Sequence, residues 1–150
     1  MRILLGITGG IAAYKAANLI RGLSELGHEV TVFPTENALR FIGKPTLESL
    51  SGHAIETDMY QDVAQVRHVE LGQQADLILI APATASFIAR FAAGIADDLM
   101  LNAILASSAP IVVCPAMHTE MWEHPAVQDN LALLASRGVI IVPPGEGRLA

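Results

Sequence analysis

The sequence predicts an α/β fold, a Rossmann-like three-layer arrangement of helices around a mostly parallel sheet, and three observations carry that expectation. Short apolar runs alternate with stretches of helical periodicity along the chain, the pattern of βαβ units feeding a parallel sheet. The first run, Arg2 to Ile7, passes directly into the glycine turn Gly6-Ile7-Thr8-Gly9-Gly10 and then into a helical stretch. Later runs such as Asp76 to Ala81 are continuously apolar from Leu77 onward rather than alternating, as strands covered on both faces are.

Taken in order, Arg2 to Ile7 reads as a strand, Ile11 to Leu26 as one helix closed by Gly27, and Glu29 to Phe33 as a second strand, together a mononucleotide-binding half. Ala38 to Ile42 and Thr46 to Leu50 read as short helices divided by Lys44-Pro45, because proline disfavours helical geometry in the residue before it. Gly52 to Val66 is polar, turn-rich and the least legible stretch. Beyond it the pattern gives a strand at Asp76 to Ala81, helices at Thr84 to Ala93 and Asp97 to Ala106, a strand at Ile111 to Cys114, a helix at Ala126 to Arg137 and a last strand at Val139 to Val142. There are no repeats, linkers or low-complexity tracts.

Composition narrows the function. At 150 residues the chain makes about one domain with a single core. It is 52% hydrophobic but only 5% aromatic, a surplus of small aliphatic residues that leaves surface for partner subunits. A net charge of −6 with no cluster of Lys or Arg argues against a nucleic-acid partner. No apolar run approaches the roughly 18 residues that span a bilayer, and Met1 to Gly10 enters a strand rather than a cleavable signal, so no membrane partner and a cytoplasmic location are expected. The one cysteine, Cys114, excludes an internal disulfide and a multi-cysteine metal site and is expected to be packed in its strand.

Four segments carry candidate chemistry. The Gly6 to Gly10 turn ends a strand and opens a helix, so its N–H groups can cradle a phosphate; a tight turn that needs glycine explains the same residues. Past the second strand, where a dinucleotide fold places an acid about 20 residues after the glycines, stands Phe33-Pro34-Thr35. A hydroxyl there favours a mononucleotide, although Thr35 equally suits a helix cap. Ala81-Pro82-Ala83-Thr84-Ala85-Ser86 is a second cradle of small residues and hydroxyls, with Thr84 or Ser86 as an N-cap being the alternative, and Asp97-Asp98 reads as capping. Pro115-Ala116-Met117-His118-Thr119-Glu120-Met121-Trp122 follows a buried strand to the crevice where open α/β sheets bind ligands. His118 lies in that block beside Met117 and Trp122, which serve as packing or as a ligand wall, whereas His68 alone reads as a structural histidine.

Together these blocks resemble the flavin-dependent cysteine decarboxylases. Gly6 to Lys15, Ala81 to Ala85, Gly94-Ile95-Ala96-Asp97-Asp98-Leu99 and Pro115 to Trp122 stand in the family's order and spacing over nearly the whole chain. The nearest branch is that of the phosphopantothenoylcysteine decarboxylases of coenzyme A biosynthesis. The resemblance implies bound FMN, with Thr8, Gly10 and Ile11 in the first cofactor turn, Thr35 after the second strand, Pro82, Ala83, Thr84 and Ala85 in the second loop, and Ala116 against the flavin. His68 matches the family's active-site histidine. His118 stands where most members have Asn orienting the substrate carboxylate, with Met117 beside it as a substrate contact, and Ser86 also replaces a frequent Asn.

The resemblance further implies a small-molecule substrate ending in cysteine, no metal, a homo-oligomer (a trimer or a dodecamer of trimers) with sites between subunits, and a fused phosphopantothenate–cysteine ligase domain in the full protein. The tail Pro143-Pro144-Gly145-Glu146-Gly147-Arg148-Leu149-Ala150 has no cysteine, so the expectation is one FMN-binding decarboxylase domain over 1–150, truncated or lacking the family's flap and without the synthetase domain. The alternatives are a peptidyl-cysteine decarboxylase, which makes an enethiol in a ribosomal peptide, a non-catalytic flavin-binding regulatory subunit, and a nucleotide-binding module without flavin.

Overall fold

Among the described residues, five parallel strands form one sheet in the order β2-β1-β3-β4-β5: β1 (Arg2–Ile7), β2 (Glu29–Pro34), β3 (Leu77–Ala83), β4 (Ile111–Pro115) and β5 (Ile140–Ile141). The computed structural model from which this is read describes residues 1–58 and 62–149. The sheet is wholly parallel, so each return crosses a face, and seven α-helices make those crossings among the described residues. Chain order reverses between β1 and β3, which makes their carboxyl ends the topological switch point.

Alternation along the strands builds two cores. Leu5, Ile7, Val30 and Val32 face α1 (Ala16–Glu25) and α2 (Lys44–Ser51). Leu4, Phe33, Ile78, Ile80 and Val113 face the opposite layer of α3 (Asp62–Gln74), α4 (Ala85–Ala92), α5 (Leu99–Ala106) and α7 (Pro125–Ser136). α1 is helical because Ala16, Leu19, Ile20 and Leu23 recur on one face, the spacing that 3.6 residues per turn turns into a stripe. The second layer is the more complete, with Phe87, Ile88 and Ala103 at 0% exposure.

Several boundaries differ from the sequence reading. The expected helix Ile11–Leu26 is a 3-10 turn over Ile11–Lys15 followed by α1. Ala38 to Ile42 is a single 3-10 turn at Ala38–Arg40, and Lys44-Pro45 opens α2 rather than dividing two helices, because a proline in the first turn removes an N–H that has no intrahelical acceptor. β3 runs on through Pro82, and its face toward α1 is half-covered rather than buried. β4 likewise runs one residue further, to Pro115. β5 keeps two residues of the four expected.

Two helices were not foreseen at all. α6 (Thr119–Glu123) occupies part of the block read as a turn. α3 begins inside the stretch read as irregular, of which residues 59–61 lie outside the described residues. Its inward stripe is His68, Leu71 and Gly72, so a histidine and a glycine stand where apolar side chains are expected. Gly72 is required by close approach to α5: a Cβ there would stand 3.1 Å from the Ala103 carbonyl carbon.

Candidate functional site

Hydrogen bonds draw the ends of β1, β3 and β4 together at the switch point. The Thr8 hydroxyl donates to the Pro82 carbonyl at 2.7 Å and accepts the Thr84 N–H at 2.9 Å, and Thr8 N–H donates to the same Pro82 carbonyl at 3.2 Å. Ala116 N–H donates to the Ala83 carbonyl at 3.0 Å, which fixes the third loop to the second. Between Ile80 and Ala83 the pairing register of β3 with β4 shifts, and the Ala81–Pro82 peptide bond is cis. A register shift of this kind re-aims a strand end beside a site.

These loops wall a cleft of about 680 Å³, lined among others by Thr8, Gly9, Gly10, Ile11, Thr35, Pro82, Thr84, Ala85, Ser86, Ala116, Met117 and His118. Its volume is that of a small-molecule site, where pockets run about 300–1,000 Å³. Three sequence-read blocks and Thr35 therefore meet in one place. Gly9 is required by the close approach of the next loop, since a Cβ there would stand 2.8 Å from the Asn37 carbonyl carbon. Two cleft residues serve the frame as well. Thr35 Oγ1 accepts the Ala38 N–H at 3.2 Å, and Thr84 Oγ1 accepts the Phe87 N–H at 3.2 Å as N-cap of α4.

The cleft offers an anion the amides that the fold leaves unengaged. At α4 the Thr84, Phe87 and Ile88 N–H groups are engaged by Thr8 Oγ1, Thr84 Oγ1 and the Thr84 carbonyl, which leaves those of Ala85 and Ser86 at the positive end of the helix. At the β1 turn, Gly10 and Ala13 donate to Thr8 and Gly10 carbonyls, which leaves Gly9, Ile11 and Ala12. The charged side chains add little attraction. Arg90 is the one lining cation among the described residues, and its guanidinium already donates to Asp97 at 2.9 Å and Asp98 at 3.2 Å, while Glu36 is a further acid. What the cleft offers an anion is therefore backbone dipoles rather than a free lysine or arginine.

Two of the residues assigned by resemblance stand apart. Ala83 is fully buried in the core and contributes only its carbonyl. His68 is 1% exposed on α3, with its ring 4.5 Å from that of Phe33, and it does not line the cleft of its own chain. Met117 both lines the cleft and packs on the core, whereas Trp122 only packs. Asp98 caps α5 through the Leu101 N–H at 2.7 Å, as its place before a helix indicated.

The sequence reading missed Asn37, Arg90 and Leu149 as lining residues. Arg90 had a signal, since it stands four residues after Ser86 and so on the same helix face. Cys114 is half-buried rather than packed away, and burial pushes its thiol pKa up. It lines a second cavity of about 370 Å³ formed with Lys15 and the tail Pro144 to Leu149, where Lys15 Nζ donates to the Arg148 carbonyl at 3.2 Å.

The Flavoprotein family model matches residues 1–150. The chain belongs to the flavoprotein family. It is 54% identical over 148 residues to the coenzyme A biosynthesis bifunctional protein CoaBC of Mycolicibacterium smegmatis, covering 99% of this chain and 36% of that protein. Against CoaBC of Escherichia coli it is 45% identical over 151 residues, covering 99% and 37%. The chain thus spans little more than a third of the length of these curated relatives.

Among solved structures, SpaF, described as an FMN-dependent cysteine decarboxylase, is 37% identical with a TM-score of 0.90, covering 98% of this chain and 86% of SpaF. A cysteine-to-serine variant of PPC decarboxylase complexed with pantothenoylaminoethenethiol is 33% identical with a TM-score of 0.89, covering 99% and 85%. No helix among the described residues is long and apolar enough to cross a membrane.

Proposed function

We propose that the chain is an FMN-dependent decarboxylase of 4′-phosphopantothenoylcysteine, acting toward 4′-phosphopantetheine in coenzyme A biosynthesis. The observation that carries this is the cleft of about 680 Å³ at the switch point, whose lining brings residues with unengaged amides in the β1 turn and α4 together with Ala116, Met117 and His118. The donor set fits FMN: N–H groups and a helix end for a phosphate, and small or apolar side chains for a flat ring. Support for the substrate comes from the CoaBC relatives and from the PPC decarboxylase neighbour.

A cysteine amide with a free carboxylate has no electron sink for loss of carbon dioxide. Bound FMN supplies one by accepting two electrons from the carbon that bears sulfur. The chain's residues bind and orient. Gly9, Ile11 and Ala12 N–H groups, with those of Ala85 and Ser86, hold the phosphate, and Ala116 and Pro82 form the wall for the ring. His118 is exposed at the cleft mouth and donates to the substrate carboxylate, with Met117 beside it. His68, which the resemblance makes catalytic, is buried behind Phe33. Within one chain the reading therefore gives the substrate contact to His118 and none to His68, and the sites are read as lying between copies in a trimer or larger homo-oligomer. The ligase domain that a bifunctional relative implies belongs to the same proposal.

A second substrate class has its own support, because SpaF is more similar in sequence than the PPC decarboxylase structure. The alternative substrate is a peptide ending in cysteine, which the resemblance of the sequence also allows. Mass analysis after incubation separates the readings. Loss of carbon dioxide alone from phosphopantothenoylcysteine is the expected result for reductive completion, and loss of carbon dioxide with two hydrogens for the enethiol. Turnover only of the peptide overturns the substrate assignment, and yellow protein inert toward both substrates indicates a non-catalytic subunit.

A further inference from the structure

We infer that Thr8 is a positioning residue for the anion-holding amides, a latch that sets the two cradles relative to each other before any ligand arrives. The inference rests on the reading of the cleft as an FMN site. Thr8 is 1% exposed, so its hydroxyl must be satisfied inside the protein. Its one proton goes to the Pro82 carbonyl at 2.7 Å, and a lone pair receives the Thr84 N–H at 2.9 Å. No proton remains for a phosphate oxygen.

The consequence reaches the next helix. Thr84 N–H is already engaged by Thr8, and Thr84 Oγ1 caps the Phe87 N–H, so a continuous relay runs from the β1 turn into the first turn of α4. That relay selects Ala85 and Ser86 as the amides α4 can offer, and it fixes their distance from Gly9, Ile11 and Ala12. Donors held in place beforehand cost no reorganisation when the ligand binds. Threonine suits the position because the site needs a buried hydroxyl that both donates and accepts.

Two measurements test the latch. In ligand-free protein, amide hydrogen exchange read by NMR is expected to find the Thr84 N–H protected, with Ala85 and Ser86 slowing only when FMN is added. Flavin fluorescence titration is expected to give Thr8→Val an FMN affinity at least tenfold weaker than the parent, and Thr8→Ser an affinity within threefold of it. A Thr84 amide protected only once FMN is present overturns the inference. So does a Thr8→Val protein that binds FMN as tightly as the parent, or a loss that serine does not restore. If Thr8→Val fails to fold, the exchange experiment on the parent protein decides alone. If the parent takes up no FMN, the functional reading fails, and the Thr84 amide in ligand-free protein still tests the latch.

Discussion

The two sides of the cleft are built differently. On the β1–β3 side, Thr8, Ala83 and Phe87 are buried, the loops are tied by short hydrogen bonds, and the groups offered to a ligand are backbone amides. On the β4–α6 side, His118 is exposed and Met121 is 45% exposed, and α6 is a five-residue helix with no side-chain cap at His118. One side is fixed by the core and presents main chain; the other presents side chains to solvent. The lesson is a division of labour. A rigid frame suits a cofactor that stays, and an accessible wall of side chains suits a substrate that exchanges.

The strongest way to break this contrast is to remove the support of the fixed side. Phe87→Ala empties a fully buried site under α4 and is expected to cost about 3–5 kcal/mol, read as a lower denaturation midpoint together with loss of FMN retention. Gly9→Ala places a methyl group against Asn37, with an expected cost of about 1–3 kcal/mol and weaker FMN binding in titration. Asp98→Ala removes the α5 cap and one partner of Arg90, and about 0.5–2 kcal/mol of stability should go with it by chemical denaturation.

The open side should respond in the opposite sense. His118→Ala is expected to leave stability within about 0.5 kcal/mol and FMN affinity unchanged, while kcat/KM falls at least tenfold, equivalent to about 1.4 kcal/mol in the transition state. Equal losses in FMN affinity and kcat/KM would erase the distinction between the two sides. The smallest effect is a control at the amino ends of β1 and β3, opposite the cleft. The Arg2 backbone N–H at 2.7 Å, and then the Arg2 side chain, hold the Asp76 carboxyl below its ordinary 3.8. Its contribution is present above the unfolded-state value and is lost as pH falls through the depressed one. Asp76→Asn should therefore flatten the acid limb of stability against pH and leave FMN binding at neutral pH untouched.

Legibility in the sequence followed the same divide. The strands and the helices α1, α4, α5 and α7 were readable because burial imposes a period, and the glycine turn and Thr84 were readable because strand-to-helix junctions have few chemical solutions. α3 escaped because His68 and Gly72 interrupt its inward stripe, the glycine being there for contact with Ala103. Thr8 was legible as part of the first turn but not as a latch, since both of its hydroxyl partners lie more than seventy residues away. The burial of His68 against Phe33 had no local signal either, because Phe33 belongs to β2.

The most direct test is a titration of the purified, flavin-free protein with FMN, followed by flavin absorbance and fluorescence and combined with amide chemical-shift mapping. The account predicts saturation at one FMN per chain, with the largest shifts at Gly9, Ile11, Ala12, Ala85 and Ser86. A spectrum that does not change, or shifts that cluster around the second cavity at Lys15 and Cys114, contradicts it.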